Sequence, residues 1–210
     1  PMLEALEALN VDTTPAWTTR VADGLSEREL ATLLSKPETA KTPFLRDAVL
    51  TALGRGSEPV DYLEAVPTYF RAMDPKLAQA TSERWVAPLQ NGMPLSRDLI
   101  RPVHAGLLVL GSRADAKAIE LLGGAIRPGL DSTLIGTVNQ GLRQTFDRKA
   151  VPHLIRALKI DAVEEQAQTT LDRFYKYFSE VERWQDVERT EQMIKRGLLP
   201  AGPRFGDKKK

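Results

Sequence analysis

A 32-residue period constrains this chain more than any other feature. Residues 115–146 can be laid on residues 147–178 without a gap. Asp115 then falls on Asp147, Lys117 on Lys149, Ala118 on Ala150 and Ile119 on Val151. Leu122 falls on Leu154, Ala125 on Ala157, Ile126 on Leu158 and Phe146 on Phe178. Each copy reads as two amphipathic helices, and the second copy turns tightly at Ile160-Asp161. Such a helix pair has an apolar stripe that it cannot bury alone. Stacking the next pair buries it, and a fixed period of this length marks a helical repeat array. In the last helix of the second copy, Val163, Ala167, Thr170, Leu171, Phe174 and Phe178 share one face. Gln166, Thr169, Arg173, Lys176 and Tyr177 are left for the other.

A fainter echo lies upstream. Ala65-Val66-Pro67, followed by Arg71-Ala72, parallels Ala150-Val151-Pro152, followed by Arg156-Ala157. The step from Ala65 to Ala118 is 53 residues, so an extra helix or long loop is expected near residues 90–110. Ser26-Glu-Arg-Glu29 is a capping box. Thr14-Pro15, Thr42-Pro43, Ser57-Glu-Pro59 and Asp74-Pro75 place proline in the first turn of further helices. Gly24, Lys36-Pro37, Gly54-Arg-Gly56 and Asn91-Gly92-Met-Pro94 are stops or turns. Residues 95–110 have a helical pattern that Pro102 should bend or split, and a strand at 106–111 is the alternative there. Residues 3–9 form a short helical pattern, and residues 179–196 read as a separate terminal cap helix. The expected organisation is one all-α domain over 1–197, with a flexible basic tail over 198–210.

Half of the 14 glycines fall between positions 106 and 141. Glycine costs a helix about 1 kcal/mol relative to alanine, so something must offset it. Close approach of neighbouring helices is the reading adopted for Gly123, Gly124, Gly136 and Gly141, in preference to a role in motion.

The second copy resembles the short bacterial HEAT repeat, the kind also found in phycobilisome-lyase-like repeat proteins. The residues that carry the resemblance are Asp147, Ala150-Val151-Pro152, Leu154-Ile155 and Ala157-Leu158, then Asp161, Val163, Ala167 and Leu171. Glu164-Glu165 depart from the pattern, and the preceding copy has Glu120 in place of the proline. The resemblance implies an α-solenoid, a right-handed superhelix of four to five antiparallel helix pairs. It also implies binding of a protein, a peptide or sometimes a nucleic acid along a broad face, and it implies no chemistry.

Composition excludes several function classes. The chain has no cysteine, which removes disulfides, thiolate metal sites and cysteine nucleophiles. His104 and His153 are far apart and neither has a second ligand-type residue at i+4, so no metal is expected, and His153, following Pro152 in the first turn of a helix, is expected to be an exposed polar residue. No nucleophile elbow and no phosphate-binding glycine loop is present. No cofactor and no reaction are expected. The longest apolar run is too short to span a membrane. A soluble domain of either cytoplasm or periplasm fits, and Pro1-Met2 reads as a cleavage scar. Net charge is +1, with nine basic against 13 acidic residues up to position 90 and 20 against 15 beyond it. Between Arg97 and Lys159 there are ten basic residues against five acidic ones, including Arg143, Arg148, Lys149, Arg156 and Lys159. A groove for nucleic acid would need these to converge beside stacking aromatics. Trp17, Trp85 and Trp184 are scattered at helical positions that suit core or cap roles.

The reading adopted is a non-enzymatic protein-interaction scaffold. Nucleic-acid binding or base modification is the alternative, and a cofactor-attachment lyase is a weaker one. The candidate binding residues are Arg143, Arg173, Lys176 and Tyr177, on the face of the second helices. Tyr175 and Tyr177 flank the core stripe, so at least one is expected to be exposed as an interaction anchor. Function is expected where the two copies differ, as at Arg173 against Gly141 and Tyr177 against Thr145.

Overall fold

The computed structural model describes residues 15–56, 61–90 and 95–195, and the regular elements among them are all helical. In chain order they are α1 (Pro15–Gly24), α2 (Glu27–Leu34), α3 (Pro43–Leu53), α4 (Val66–Ala72) and α5 (Pro75–Gln90). Then follow α6 (Ile100–Arg113), α7 (Ala116–Ala125), α8 (Ser132–Thr145), α9 (Val151–Ala157) and α10 (Glu164–Lys195). The expected helix at residues 3–9, the start at Ser57, the turn at Asn91-Gly92 and the tail from residue 198 lie outside the described residues.

The local start signals act as written. Ser26 caps α2 by accepting from the Glu29 amide at 3.3 Å, while the Ser26 amide donates to the Glu29 carboxylate at 2.9 Å. Asp74 Oδ1 accepts from the Leu77 amide at 3.0 Å at the start of α5. The repeat-defining Asp115 and Asp147 both cap, accepting from the Ala118 and Lys149 amides at 2.8 Å. The Ala-Val-Pro echo also has a structural counterpart. In each case a short 3₁₀ turn ends at the alanine, Ala65 or Ala150, and a seven-residue α-helix begins at the valine.

Residues 106–111 lie inside α6, so the strand alternative is wrong. Pro102 neither bends nor splits that helix, because it sits in the first turn, where its missing N–H has no intrahelical acceptor to lose. Helix α6 is the extra helix between the echo and the first full copy. Its Ala105 and Val109 belong to one core with Leu34, Leu53, Val66, Tyr69 and Phe70. Its Val103, Leu107 and Leu110 belong to a second core with Ile119, Leu122, Leu134, Val138 and Phe174. A helix buried on two sides has to be apolar around most of its circumference, and this one is.

Helices pair in sequence, α5 with α6, α7 with α8 and α9 with α10. They also pack across pairs, α6 extensively on α8, α5 on α7, and α8 more lightly on α10. The shared positions of the two copies form the interior, with Ala118, Leu122, Ala125, Ala150, Leu154 and Ala157 all buried. The match fails at the last position. Phe146 ends α8 in a left-handed conformation (φ 45°), whereas Phe178 sits inside a helix that runs on to Lys195. The expected separate cap at 179–196 is therefore a continuation of α10, since no glycine or proline interrupts residues 164–195.

Glycines set how closely these helices approach. A Cβ on Gly106 would lie 2.9 Å from Val86 Cγ1 and 3.2 Å from the Ser82 carbonyl oxygen of α5. On Gly111 it would lie 2.8 Å from the Gly141 Cα, backbone against backbone. On Gly123 it would overlap the His153 ring. Gly124 meets only the movable end of Gln90, whose amide donates to the Leu121 carbonyl at 3.0 Å. Gly136 is the exception among the glycines read as packing sites. The nearest atom to its notional Cβ is Gln166 Oε1, at 4.0 Å.

Candidate functional site

Of the five large hydrophobic side chains exposed among the described residues, four lie between positions 146 and 177. They are Tyr175 (79 % exposed), Ile155 (50 %), Phe146 (45 %) and Tyr177 (44 %). The fifth is Trp17, expected in a core or cap role but lying at the surface with the Arg20 guanidinium 5.9 Å from its ring centroid. Trp85 does fill the core, 5.5 Å from Phe70, and the Trp184 side chain lies outside the described residues.

The geometry of α10 explains the exposed group. At 3.6 residues per turn, Val163, Ala167, Thr170 and Phe174 point inward as one stripe, and all four are buried. Tyr175 leaves the stripe on one side, toward α9. There a groove of about 690 Å³ opens between α9 and α10, lined by Val151, Pro152, Ile155, Leu171, Tyr175 and Phe178. Arg148 and Glu182 also line it, joined as an ion pair, and the Arg148 guanidinium lies 5.0 Å from the Phe178 ring centroid. Tyr177 leaves the stripe on the other side, toward α8. Its ring packs 5.1 Å from Phe146 and 5.5 Å from Phe178, so it is an exposed member of an aromatic cluster anchored by Phe174.

A second, polar groove of about 480 Å³ lies between α8 and α10. Thr133, Gly136, Thr137, Asn139, Gln140 and Arg143 supply one wall, and Glu165, Gln166, Thr169 and Thr170 supply the other. Arg143 thus lines this groove, while Arg173 is exposed one turn beyond Thr169 and Thr170 on the same side of α10. Lys176 is exposed two turns beyond Thr169, on nearly the same side of α10. Of the four candidate residues, Arg143 lines this groove, and Arg173, Lys176 and Tyr177 lie farther along on the same side of α10.

Comparison of the chain with family models, with curated proteins and with solved structures gives no match.

The contrast between Gly141 and Arg173 has a packing origin. Gly141 must be glycine because the Gly111 backbone lies against it, and no helix presses on position 173 in the same way. Six of the ten basic residues between Arg97 and Lys159 are engaged within the fold. Arg101 pairs with Glu27 at 2.8 Å, Arg113 with Asp115 at 2.7 Å, Lys117 with Glu83 at 2.7 Å and Arg148 with Glu182. Arg156 donates to the Gly123 carbonyl at 3.1 Å and Arg127 to the Leu89 carbonyl at 3.4 Å. These contacts tie neighbouring helices together.

The titratable groups have structural roles. Burial raises the Asp115 carboxyl, but the Ala118 amide and the Arg113 guanidinium outweigh this and hold it below its ordinary value. Glu83 is held low in the same way by Lys117, Gln79 and Arg113. Burial pushes the Tyr69 phenol up to about 12, so it stays neutral in the core. His153, expected to be an exposed polar residue, is half-buried against Gly123. Burial, and then the Arg156 charge, lower its pKa. His104 is also lowered by burial, against the opposing pull of Asp131. Its Nε2 lies 3.0 Å from Thr137 Oγ1. Because that hydroxyl donates its proton to the Thr133 carbonyl at 2.9 Å, His104 must be the donor of the contact. Among the described residues no three His, Asp or Glu side chains stand together as a metal site. No described helix is long and apolar enough to cross a membrane.

Two features of these surfaces could have been read earlier. Ile155 lies 100° away from Leu154 on its helix, off the buried stripe. Asn139 is polar on the apolar face formed by Ile135, Val138 and Leu142. Either one breaks its helical pattern, which is a signal of its own.

Proposed function

We propose that this chain is a non-enzymatic interaction module that binds a partner protein at its C-terminal end, in the groove between α9 and α10. The observation that carries this reading is that exposed Ile155 and Tyr175 line this groove beside Val151, Leu171 and Phe178. Exposed apolar area of this kind is costly in water and is characteristic of protein contact surfaces, where tyrosine is enriched at the residues that dominate affinity. The Arg148–Glu182 pair at the groove gives it a polar margin that orients a partner. The pairing of α5 with α6, α7 with α8 and α9 with α10, and the packing of like helices across pairs, support a HEAT-like solenoid as the scaffold.

The test is affinity capture with the native chain and with an Ile155→Ala/Tyr175→Ala double variant. A protein enriched by the native chain and lost from the variant is the expected result, with the helical circular dichroism of the two chains equal. Failure to enrich any protein, or equal capture by both chains, counts against the reading. Steeply salt-dependent binding of duplex DNA would instead favour the nucleic-acid alternative.

A further inference from the structure

The polar groove between α8 and α10 has three properties that ordinary helix packing does not require. First, it is open at Gly136. Every other glycine in an α6–α9 helix would drive a Cβ to within about 3 Å of a neighbouring helix, but Gly136 would meet nothing closer than Gln166 Oε1 at 4.0 Å. A helix-weakening residue stands here without a packing reason. Second, Asn139 is only 4 % exposed and its Oδ1 is buried without a hydrogen-bond donor. A buried carbonyl in that state calls for a donor from outside. Third, three of the four hydroxyl protons in the lining are already committed. Thr137, Thr169 and Thr170 each donate to the carbonyl four residues earlier in their own helix, at 2.9, 2.9 and 2.8 Å. What these groups can still offer is lone pairs. With the Asn139 carbonyl they give the groove several acceptors, beside the side-chain amides of Gln140 and Gln166.

Its charges are placed at its two ends. Gly136 faces Gln166, and Phe146 faces Phe174 and Tyr177, so α8 and α10 run parallel along the groove. Glu165, beside Gln166, marks the amino-terminal end. Arg143 lies seven residues beyond Gly136, about 10 Å farther along at 1.5 Å per residue. Neither Arg143 nor Glu165 has an ion-pair partner among the described residues.

We infer that this groove binds a short extended peptide with free termini, its main-chain N–H donating to Asn139, its ammonium at Glu165 and its carboxylate at Arg143. Three extended residues span about 10 Å, which matches the separation of the two charges. The neutral sum of the two charges fits a zwitterion better than an anion or a cation. This site is distinct from the α9–α10 groove and does not depend on it.

The experiment is an amide NMR titration of the whole chain with trialanine and with its N-acetylated, C-amidated form. The expected result is saturable shifting of the Gly136 and Asn139 signals by millimolar trialanine. The blocked peptide, having lost both charge-assisted contacts, should bind at least about tenfold more weakly. Gly136→Leu and Asn139→Leu should abolish the shifts while leaving the helical circular dichroism intact. Tyr175→Ala should leave trialanine binding unchanged, which separates failure here from failure of the partner-protein reading. Absence of saturable shifts in the native chain, equal binding of the free and blocked peptides, or native-like binding by a folded Asn139→Leu variant would each overturn the proposal. The peptide comparison on the native chain decides the matter even where a variant does not fold.

Discussion

The α6–α8 and α8–α10 contacts join like helices of successive pairs, yet one is closed and the other open. In the first, Gly111 and Gly141 meet backbone to backbone, and a Cβ on Gly141 would also lie 3.1 Å from Leu122 Cδ1. In the second, Gly136 faces empty space, threonines and glutamines line a groove, and contact is sealed farther along by Phe146, Phe174, Tyr177 and Phe178. The same residue type therefore has opposite meanings at two positions of α8, Gly141 and Gly136. Where glycine touches backbone it serves cohesion, and where it touches nothing it leaves room.

Substitutions on the two sides should respond in opposite ways. Phe174→Ala carries the largest expected effect, a loss of about 3–5 kcal/mol in urea unfolding, because this buried ring anchors the aromatic seal of the open contact. Hydrogen exchange should show α10 losing protection before α6. If α6 and α10 lose it together, the two contacts are not separable. Gly111→Ala comes next, at about 1–3 kcal/mol of destabilisation, since the Gly141 backbone cannot rotate away as a side chain can. Gly136→Ala should do the reverse and raise stability by about 0.5–1 kcal/mol, the gain of alanine over glycine in an unobstructed helix. A thermal melt of these two glycine variants tests the comparison directly, and a drop in both would mean that the α8–α10 contact is closed as well.

The smallest effect is one of pH. His104 and His153 both have pKa values below the ordinary value near 6.5, so the unfolded chain binds more protons than the fold as pH falls. Their contribution to stability is complete above that ordinary value and declines below it, toward the lowered folded values. Urea midpoints should therefore be lower at pH 5.5 than at pH 7.5, and His104→Gln should shrink that difference. An unchanged difference would show that the buried His104 contact beside the groove does not titrate.

Much of the fold could be read because helix starts are local chemistry. The capping box at Ser26, the caps at Asp74, Asp115 and Asp147, and the stripe ending at Phe174 each involve residues within a few positions of one another. The candidate site was harder to read. Arg173, Lys176 and Tyr177 share the side of α10 that carries Thr169, as their spacing implies, but of the four only Arg143 lines the polar groove, because how far α8 runs beside α10 is set by tertiary packing. His153 looked like an exposed first-turn residue and is half-buried, since Gly123, thirty positions away, leaves space for its ring.

The sequence alone determined that the chain is helical, where most of its described helices begin, and which positions of the 32-residue period face inward. Those properties follow from capping, proline geometry and hydrophobic periodicity, all of which act over a turn or two. Only the tertiary structure decided that Gly111 and Gly141 close one contact while Gly136 leaves another open. A glycine reports what is missing from its own side chain, and whether a neighbour fills that space depends on residues distant in the chain.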